Sequence, residues 1–441
     1  MNRKVLIITP YFPPVAASGA KRPLHLVRHL PACGFTPIVL ASPSEDGPGD
    51  LDLAEAIPPG TVVSRGYWSG LREKPDAPKP AAPKPAGPKS SPGPLARLTR
   101  STRWKYLTPF DRFLADTPHG VREALRLVDE HRPDLVHVIA DPWSVFTAGD
   151  ALRTLTGLPL VVDLRDPWSC HDGKMALRPA VSQAILRAYE RRIFRRAAAV
   201  VLNTEAAREC YAAAYAGVVP SDRFHFVRNA FDEGLFDVAP ELPPDPVFTV
   251  MYFGTFRLFV EPEGLLRAFK RFVDAHAVAP GTARLRFVGG LRAEDHARIA
   301  EMGLTPFVDA VKSVPFRKSV GLLRQADVLS LVIQPDCTLQ IPGKLYDYLG
   351  ARRFILALSA NTEVNGLLDR TGAGAGIPWG DEAGAAEVLG RLYARKRATG
   401  SVELGADVDL EPFSAAAQAR KMATIYERAL GATEGARRAD P

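Results

Sequence analysis

The side chains best suited to chemistry lie in Ile341-Pro342-Gly343-Lys344-Leu345-Tyr346-Asp347-Tyr348-Leu349. A Pro-Gly pair opens a short helical pattern there. The N–H groups of a first turn and the Lys344 ammonium would converge on one place, and a diphosphate is the natural partner for two such positive sources. Asp347, one turn later on the same face, could accept two hydrogen bonds from a vicinal diol such as a ribose; a local surface pair with Lys344 is the alternative. A second segment, Ala16-Ala17-Ser18-Gly19-Ala20-Lys21-Arg22, precedes Pro23 at the start of another helix pattern. Its small residues allow close backbone approach. Lys21 and Arg22 occupy first-turn positions that the helix dipole disfavours for cations, which points either to a bound anion or to an exposed basic turn. Arg257, just after Tyr252-Phe253-Gly254, is a third cation, placed where a strand would end.

The elements that must position these groups alternate between strand and helix. Strands are predicted at Val5 to Thr9, Thr36 to Leu40, Thr61 to Ser64, Asp134 to Ile139, Leu160 to Asp163 and Ala198 to Leu202, with helices over Pro23 to Leu30, Val121 to Glu130 and Ala180 to Arg196. Short β-rich runs separated by helices imply a parallel sheet covered on both faces. Pro240, Pro243, Pro244 and Pro246 then mark a linker, after which the alternation restarts. Strands are expected at Val247 to Phe253, Arg284 to Val288, Phe307 to Val311, Val328 to Ile333 and Phe354 to Leu358, with a helix over Glu263 to His276. Near the end, Met422, Ile425, Tyr426 and Ala429 share one helical face. Expected boundaries are 1–237 for the first domain, 238–246 for the linker, 247–410 for the second domain, 411–431 for a helix packing back across a cleft, and 432–441 for a tail. In tandem open α/β sheets, ligands favour the crevice outside the carboxyl ends of the strands, where the residues named above fall.

Length and composition agree with this picture. At about 150 residues per domain, 441 residues give two or three domains, and 46% hydrophobic with 24% charged residues is ordinary for a globular chain. The balance of 56 Lys+Arg against 49 Asp+Glu suits phosphate-bearing ligands or an anionic lipid surface and specifies neither. Cys33, Cys170, Cys210 and Cys337 lie far apart with no CxxC pair, so reduced thiols and no metal cluster are expected. No stretch reaches 18 apolar residues, and the first apolar run is too short for a signal peptide; a cytoplasmic protein is expected. Residues 72–94 hold eight prolines with Lys74, Lys79, Lys84 and Lys89 at a five-residue period, an extended insertion with little to bury. Arg97, Arg100, Arg103, Lys105 and Arg112 interleave with Trp104, Tyr106 and Phe110, either as core aromatics or as peripheral contact with an anionic membrane. No nucleic-acid module is recognisable, and no GxGxxG follows the first strand, which disfavours a dehydrogenase.

With these residues in view, the chain resembles the GT-B glycosyltransferases of family four, in particular the branch with an RDPW sequence in its amino-terminal domain. The stretches that carry the resemblance are Ile8 to Pro14, Leu158 to Trp168 with its Arg165-Asp166-Pro167-Trp168, Arg228 to Asp232, Tyr252 to Arg257 and Gly343 to Leu349. The resemblance implies two Rossmann-like domains facing each other across a cleft, and transfer of a sugar from a nucleotide-sugar donor to a sugar or lipid-linked acceptor with retention at the anomeric carbon. It implies no metal and no cofactor. Arg257 and Lys344 would neutralise the departing diphosphate, with Gly19, Arg22, Gly254 and Asp347 completing the donor site. Arg165 and Asp166 would lie on the acceptor side, Asp166 as a catalytic candidate beside the alternative of an Arg165–Asp166 structural network. Where such enzymes carry a pair of glutamates, this chain has Leu339 and Asp347. A nucleotide-sugar epimerase and a non-catalytic nucleotide- or glycan-binding protein are the alternative readings. His137 is expected to be a buried, satisfied histidine.

Overall fold

The computed structural model describes residues 2–15, 17–43, 50–69, 109–170, 172–237, 245–254, 262–405 and 407–439. The 72–94 insertion, most of the 238–246 linker, Arg257 and residues 97–108 of the basic aromatic segment lie outside the described residues. The chain divides into two compact units, Met1–Arg228 with Ala419–Pro441, and Asn229–Gln418. The division thus falls ahead of residue 237.

The first unit holds β1 (Arg3–Ile8), β2 (Phe35–Leu40), β3 (Val62–Ser64), β4 (Leu135–Ala140), β5 (Leu160–Leu164), β6 (Ala199–Leu202) and β7 (Phe224–Phe226). They form one parallel sheet in the order β3-β2-β1-β4-β5-β6-β7. All residues of β4, β5 and β6 are buried, as expected for strands covered on both faces, which therefore read as unbroken apolar runs. The covering helices are α1 (Lys21–His29), α2 (Leu51–Glu55), α3 (Thr117–His131), α4 (Val145–Thr156), α5 (Asp172–Ala176), α6 (Ala180–Arg196) and α7 (Glu205–Ala214). Chain order reverses between β1 and β4, so the loops after these strands and after β5 open on the crevice where such sheets take ligands.

In the second unit a short helix, α8 (Glu233–Asp237), precedes β8 (Phe248–Phe253), α9 (Glu263–Ala275), β9 (Ala283–Val288), α10 (Ala293–Glu301), β10 (Val308–Val311), α11 (Phe316–Gln325) and β11 (Val328–Ile333). Then come α12 (Lys344–Ala351), β12 (Phe354–Ser359), α13 (Thr362–Thr371), β13 (Gly374–Ile377) and α14 (Glu382–Thr399). The parallel order β10-β9-β8-β11-β12-β13 repeats the first sheet's scheme, with its reversal between β8 and β11. Leu265, Leu266, Phe269 and Phe272 of α9 are buried with Phe248, Leu285, Phe287 and Leu389, each such side chain contributing about 1.5–3 kcal/mol by leaving water.

The last helix, α15 (Ala415–Ala439), extends past the expected end at residue 431. From Ala419 onward it belongs to the first unit. Met422, Ile425, Tyr426 and Ala429 are buried, and the Tyr426 ring meets Phe35 of β2 edge-on at 5.1 Å. Among the described residues, no helix is long and apolar enough to cross a membrane.

Candidate functional site

In the second unit the site grows from the ends of β8 and β11. Ser330 Oγ of β11 donates to the Met251 carbonyl of β8 at 3.1 Å. Tyr348 of α12 accepts a hydrogen bond from Phe253 N at 2.9 Å and donates to the Ser330 carbonyl at 3.3 Å, which fixes α12 to both strands. Lys344, the first residue of α12, is thereby held at the switch point. Its Nζ donates to the Tyr252 hydroxyl at 2.8 Å and sits 4.1 Å from the centroid of that ring. Burial pushes the Tyr252 hydroxyl's pKa up, so the lysine faces a neutral acceptor. Gly254 ends the strand with φ of 120°, a conformation that side chains avoid. A Cβ there would lie 3.0 Å from Lys344 Nζ, so the ammonium sits over bare backbone.

Gly254 and Lys344, expected together at a donor, are therefore neighbours in space. Asp347 is half-buried in the first turn of α12. Gly343, at the N-cap, has no side chain to close that end of the helix, and an anion would be favoured there. Arg257 falls outside the described residues. One positioning residue went unseen in the sequence: Asn361, N-cap of α13, donates through Nδ2 to the carbonyls of Cys337, Thr338 and Gln340 at 3.0, 3.1 and 3.1 Å. It accepts from Val364 N at 3.1 Å. Asn361 so fixes the loop that carries Leu339 and leads to Lys344; the Asn-Thr-Glu start of a helix was its only local signal.

In the first unit, the loops after β1, β4 and β5 bring Gly19, Asp141, Arg165 and Asp166 together. Arg165 Nη2 pairs with Asp141 and, at 3.3 Å, with Asp166. A Cβ on Gly19 would run into the Arg165 guanidinium and lie 3.3 Å from the Tyr11 ring, so glycine is required for the loop to close over the arginine. Two carboxylates and a guanidinium give this cluster acceptors and donors of the kind that bind hydroxyl groups. Behind it, Trp168 is buried and stacks on Trp143 with ring centroids 5.9 Å apart. Its backbone N–H donates to the Tyr211 hydroxyl at 2.6 Å, and Tyr211 in turn donates to buried Glu190 at 3.3 Å. The tryptophan thus shapes the loop from beneath.

Arg22 is corrected by the structure. It was expected among the donor ligands, yet it is buried, with Nε donating to Asp163 Oδ2 at 2.7 Å and Nη1 to the carbonyls of Val227 and Arg228 at 3.0 Å each. The physical reason is Asp163, a carboxylate embedded in the apolar strand β5 that needs a countercharge. His137 of β4 completes the cluster, its Nε2 lying 3.4 Å from Asp163 and its Nδ1 2.7 Å from the Tyr426 hydroxyl. Burial pulls the pKa of His137 below 6.5, against the pull of Asp163. Burial would raise the pKa of Asp163, but Arg22 and His137 outweigh it and hold the carboxyl below its usual range.

Two doubly wound parallel sheets, of seven and six strands, define an α/β protein of the GT-B type. Residues 19–230, a span that includes Gly19, Arg165 and Asp166, match the model of the glycosyl transferase 4-like domain family. Among solved structures, the chain is similar to sucrose-phosphate synthase from Thermosynechococcus elongatus, at 16% identity and a TM-score of 0.63 over 98% of this chain and 100% of that one. A glycosyltransferase from Rickettsia africae is similar at 12% identity and a TM-score of 0.55 over 97% and 99%. UDP-GlcNAc 2-epimerase from Methanocaldococcus jannaschii follows at 10% identity and 0.51 over 97% and 99%. No curated protein sequence matches the chain.

Proposed function

We propose that this protein is a retaining glycosyltransferase of the RDPW branch, moving a sugar from a nucleotide-sugar donor to an acceptor hydroxyl in cytoplasmic polysaccharide or glycolipid assembly. The observation that carries the reading is Lys344 Nζ poised over Gly254 at the β8/β11 switch point, in a chain whose residues 19–230 match the glycosyl transferase 4-like domain model. As the anomeric C–O bond breaks, negative charge grows on the leaving diphosphate. A preorganised ammonium and a helix N-terminus offset that charge without having to reorganise, and the Tyr252 hydroxyl and ring hold the ammonium ready. Arg257 is assigned as the second cation, Asp347 as the acceptor for the ribose diol, and Asp166, steadied by Arg165, as the group that orients the acceptor. Neither a metal nor a cofactor is assigned.

Lys344→Ala tests the reading in a donor screen with sugar and lipid acceptors. A fall of ~10²–10³-fold in turnover with an unchanged melting temperature is expected, and unchanged turnover refutes the assignment. The fold likeness to a 2-epimerase supports a second reading, which isomerised nucleotide-sugar formed without acceptor would favour. Leu339, standing where a glutamate is expected, supports a third: nucleotide binding without any turnover of donor.

A further inference from the structure

We propose that the outer face of α6, with Leu177 just before it, docks on an anionic lipid bilayer. Leu177, Val181 and Ile185 follow one another at four-residue spacing and are 52%, 71% and 45% exposed. Ala184 and Ala188 are exposed along the same face of α6. This is not a core stripe out of register, because the opposite side of α6 already buries Ser182, Leu186, Glu190, Ile193 and Phe194. Beyond the apolar turns the face becomes cationic, with Arg187, Arg191, Arg192 and Arg195 all exposed. Arg192 is anchored through Nε to Asp150 at 2.9 Å. The one carboxylate of α6, Glu190, is buried, so the helix itself places no acid beside Arg187, Arg191 and Arg195.

An apolar strip bordered by the exposed Arg187, Arg191 and Arg195 matches a membrane surface: the aliphatic side chains reach the acyl boundary while the guanidinium groups meet anionic headgroups. A second copy of this chain fits poorly, since a two-fold contact would set one arginine row against another. The segment also follows Arg165 and Asp166 closely in the chain. Under the function proposed above, a lipid-held acceptor would arrive beside its own loop, but docking itself does not depend on that reading.

Sedimentation of the full chain with vesicles tests the proposal and needs neither donor nor turnover. The chain should pellet with phosphatidylcholine vesicles containing phosphatidylglycerol at low salt, and much less with phosphatidylcholine alone. Val181→Asp/Ile185→Asp should lower partitioning by ~10-fold or more, and Arg187→Gln/Arg191→Gln/Arg195→Gln should remove its salt-sensitive part. These exposed substitutions should leave the melting temperature in place, and the arginine variant keeps the test decisive should the aspartates disturb folding. No binding at low salt overturns the proposal. Undiminished binding by the variants also overturns it, by placing the attraction elsewhere in the chain. A concentration-dependent dimer abolished by Val181→Asp/Ile185→Asp assigns the face to a second copy and overturns it as well.

Discussion

Replacing Arg22 by methionine keeps most of the side-chain volume and removes the charge. Asp163 then remains inside the sheet without its cation, and the carbonyls of Val227 and Arg228 each lose a 3.0 Å hydrogen bond. Breaking a buried ion pair from one side costs about 3–5 kcal/mol. For a unit of this size, each kcal/mol moves the midpoint by about 2–4 °C, so Arg22→Met should lower the melting temperature by ~6–20 °C in calorimetry at neutral pH. Adding Asp163→Leu should recover a large part of the loss, because exchanging both members of a buried pair for apolar residues is often neutral. Donor affinity, measured well below the transition, should stay near the wild-type value. A variant that melts with the wild type and binds donor weakly would refute the internal role of Arg22 and return it to the phosphates.

Gly254→Ala should strain a φ of 120° and press on Lys344 Nζ; about 1–3 kcal/mol of stability and most turnover should be lost, and a fully active variant would contradict the close approach. His137 has its pKa lowered from 6.5 by burial, so its contribution to stability is complete above that value and falls as pH drops below it. Melting temperature should therefore decline as pH falls below about 6.5, and less so in His137→Gln; identical profiles would rule this histidine out as the source. Asn361→Ala frees three carbonyls of the loop before Lys344. A loss of about 1–3 kcal/mol should appear, with faster amide hydrogen exchange at residues 337–340 as its local signature.

Strands buried on both faces were the most legible elements, since a run such as Val328–Ile333 is apolar but for Ser330 and no amphipathic helix competes for it. Helix α6 was equally plain: Pro179 fixes its start and the apolar run of β6 its end. Strand β13 escaped notice because Gly374-Ala375-Gly376-Ile377 lacks the β-branched run that signals a strand. Its Gly374 is there because a Cβ would strike the Ile355 carbonyl, a constraint visible only once the strands are paired. Helix α4 was passed over as well; its Gly149, which packs against Val138 and Leu160, breaks the helical signal. At the candidate site, Gly254 was legible because it follows a strand end, and Lys344 because a Pro-Gly pair places it at a helix start. Arg22 was misread for an equally physical reason. The dipole argument treats a helix in isolation, while the carboxylate that neutralises Arg22 lies 141 residues away in a segment that reads as plain apolar strand.

The return of α15 to the first unit sets an order on biosynthesis. Everything from Asn229 to Gln418 is an insertion within the first unit's covalent path, and Tyr426, which packs on Phe35 and bonds His137, is translated only after the whole of that insertion. While the ribosome is still at work, the nascent first unit lacks this lid on its central strands, although domains ordinarily mature as they emerge. A transcript truncated before residue 419 would release a first unit without the Tyr426 contacts to Phe35 and His137.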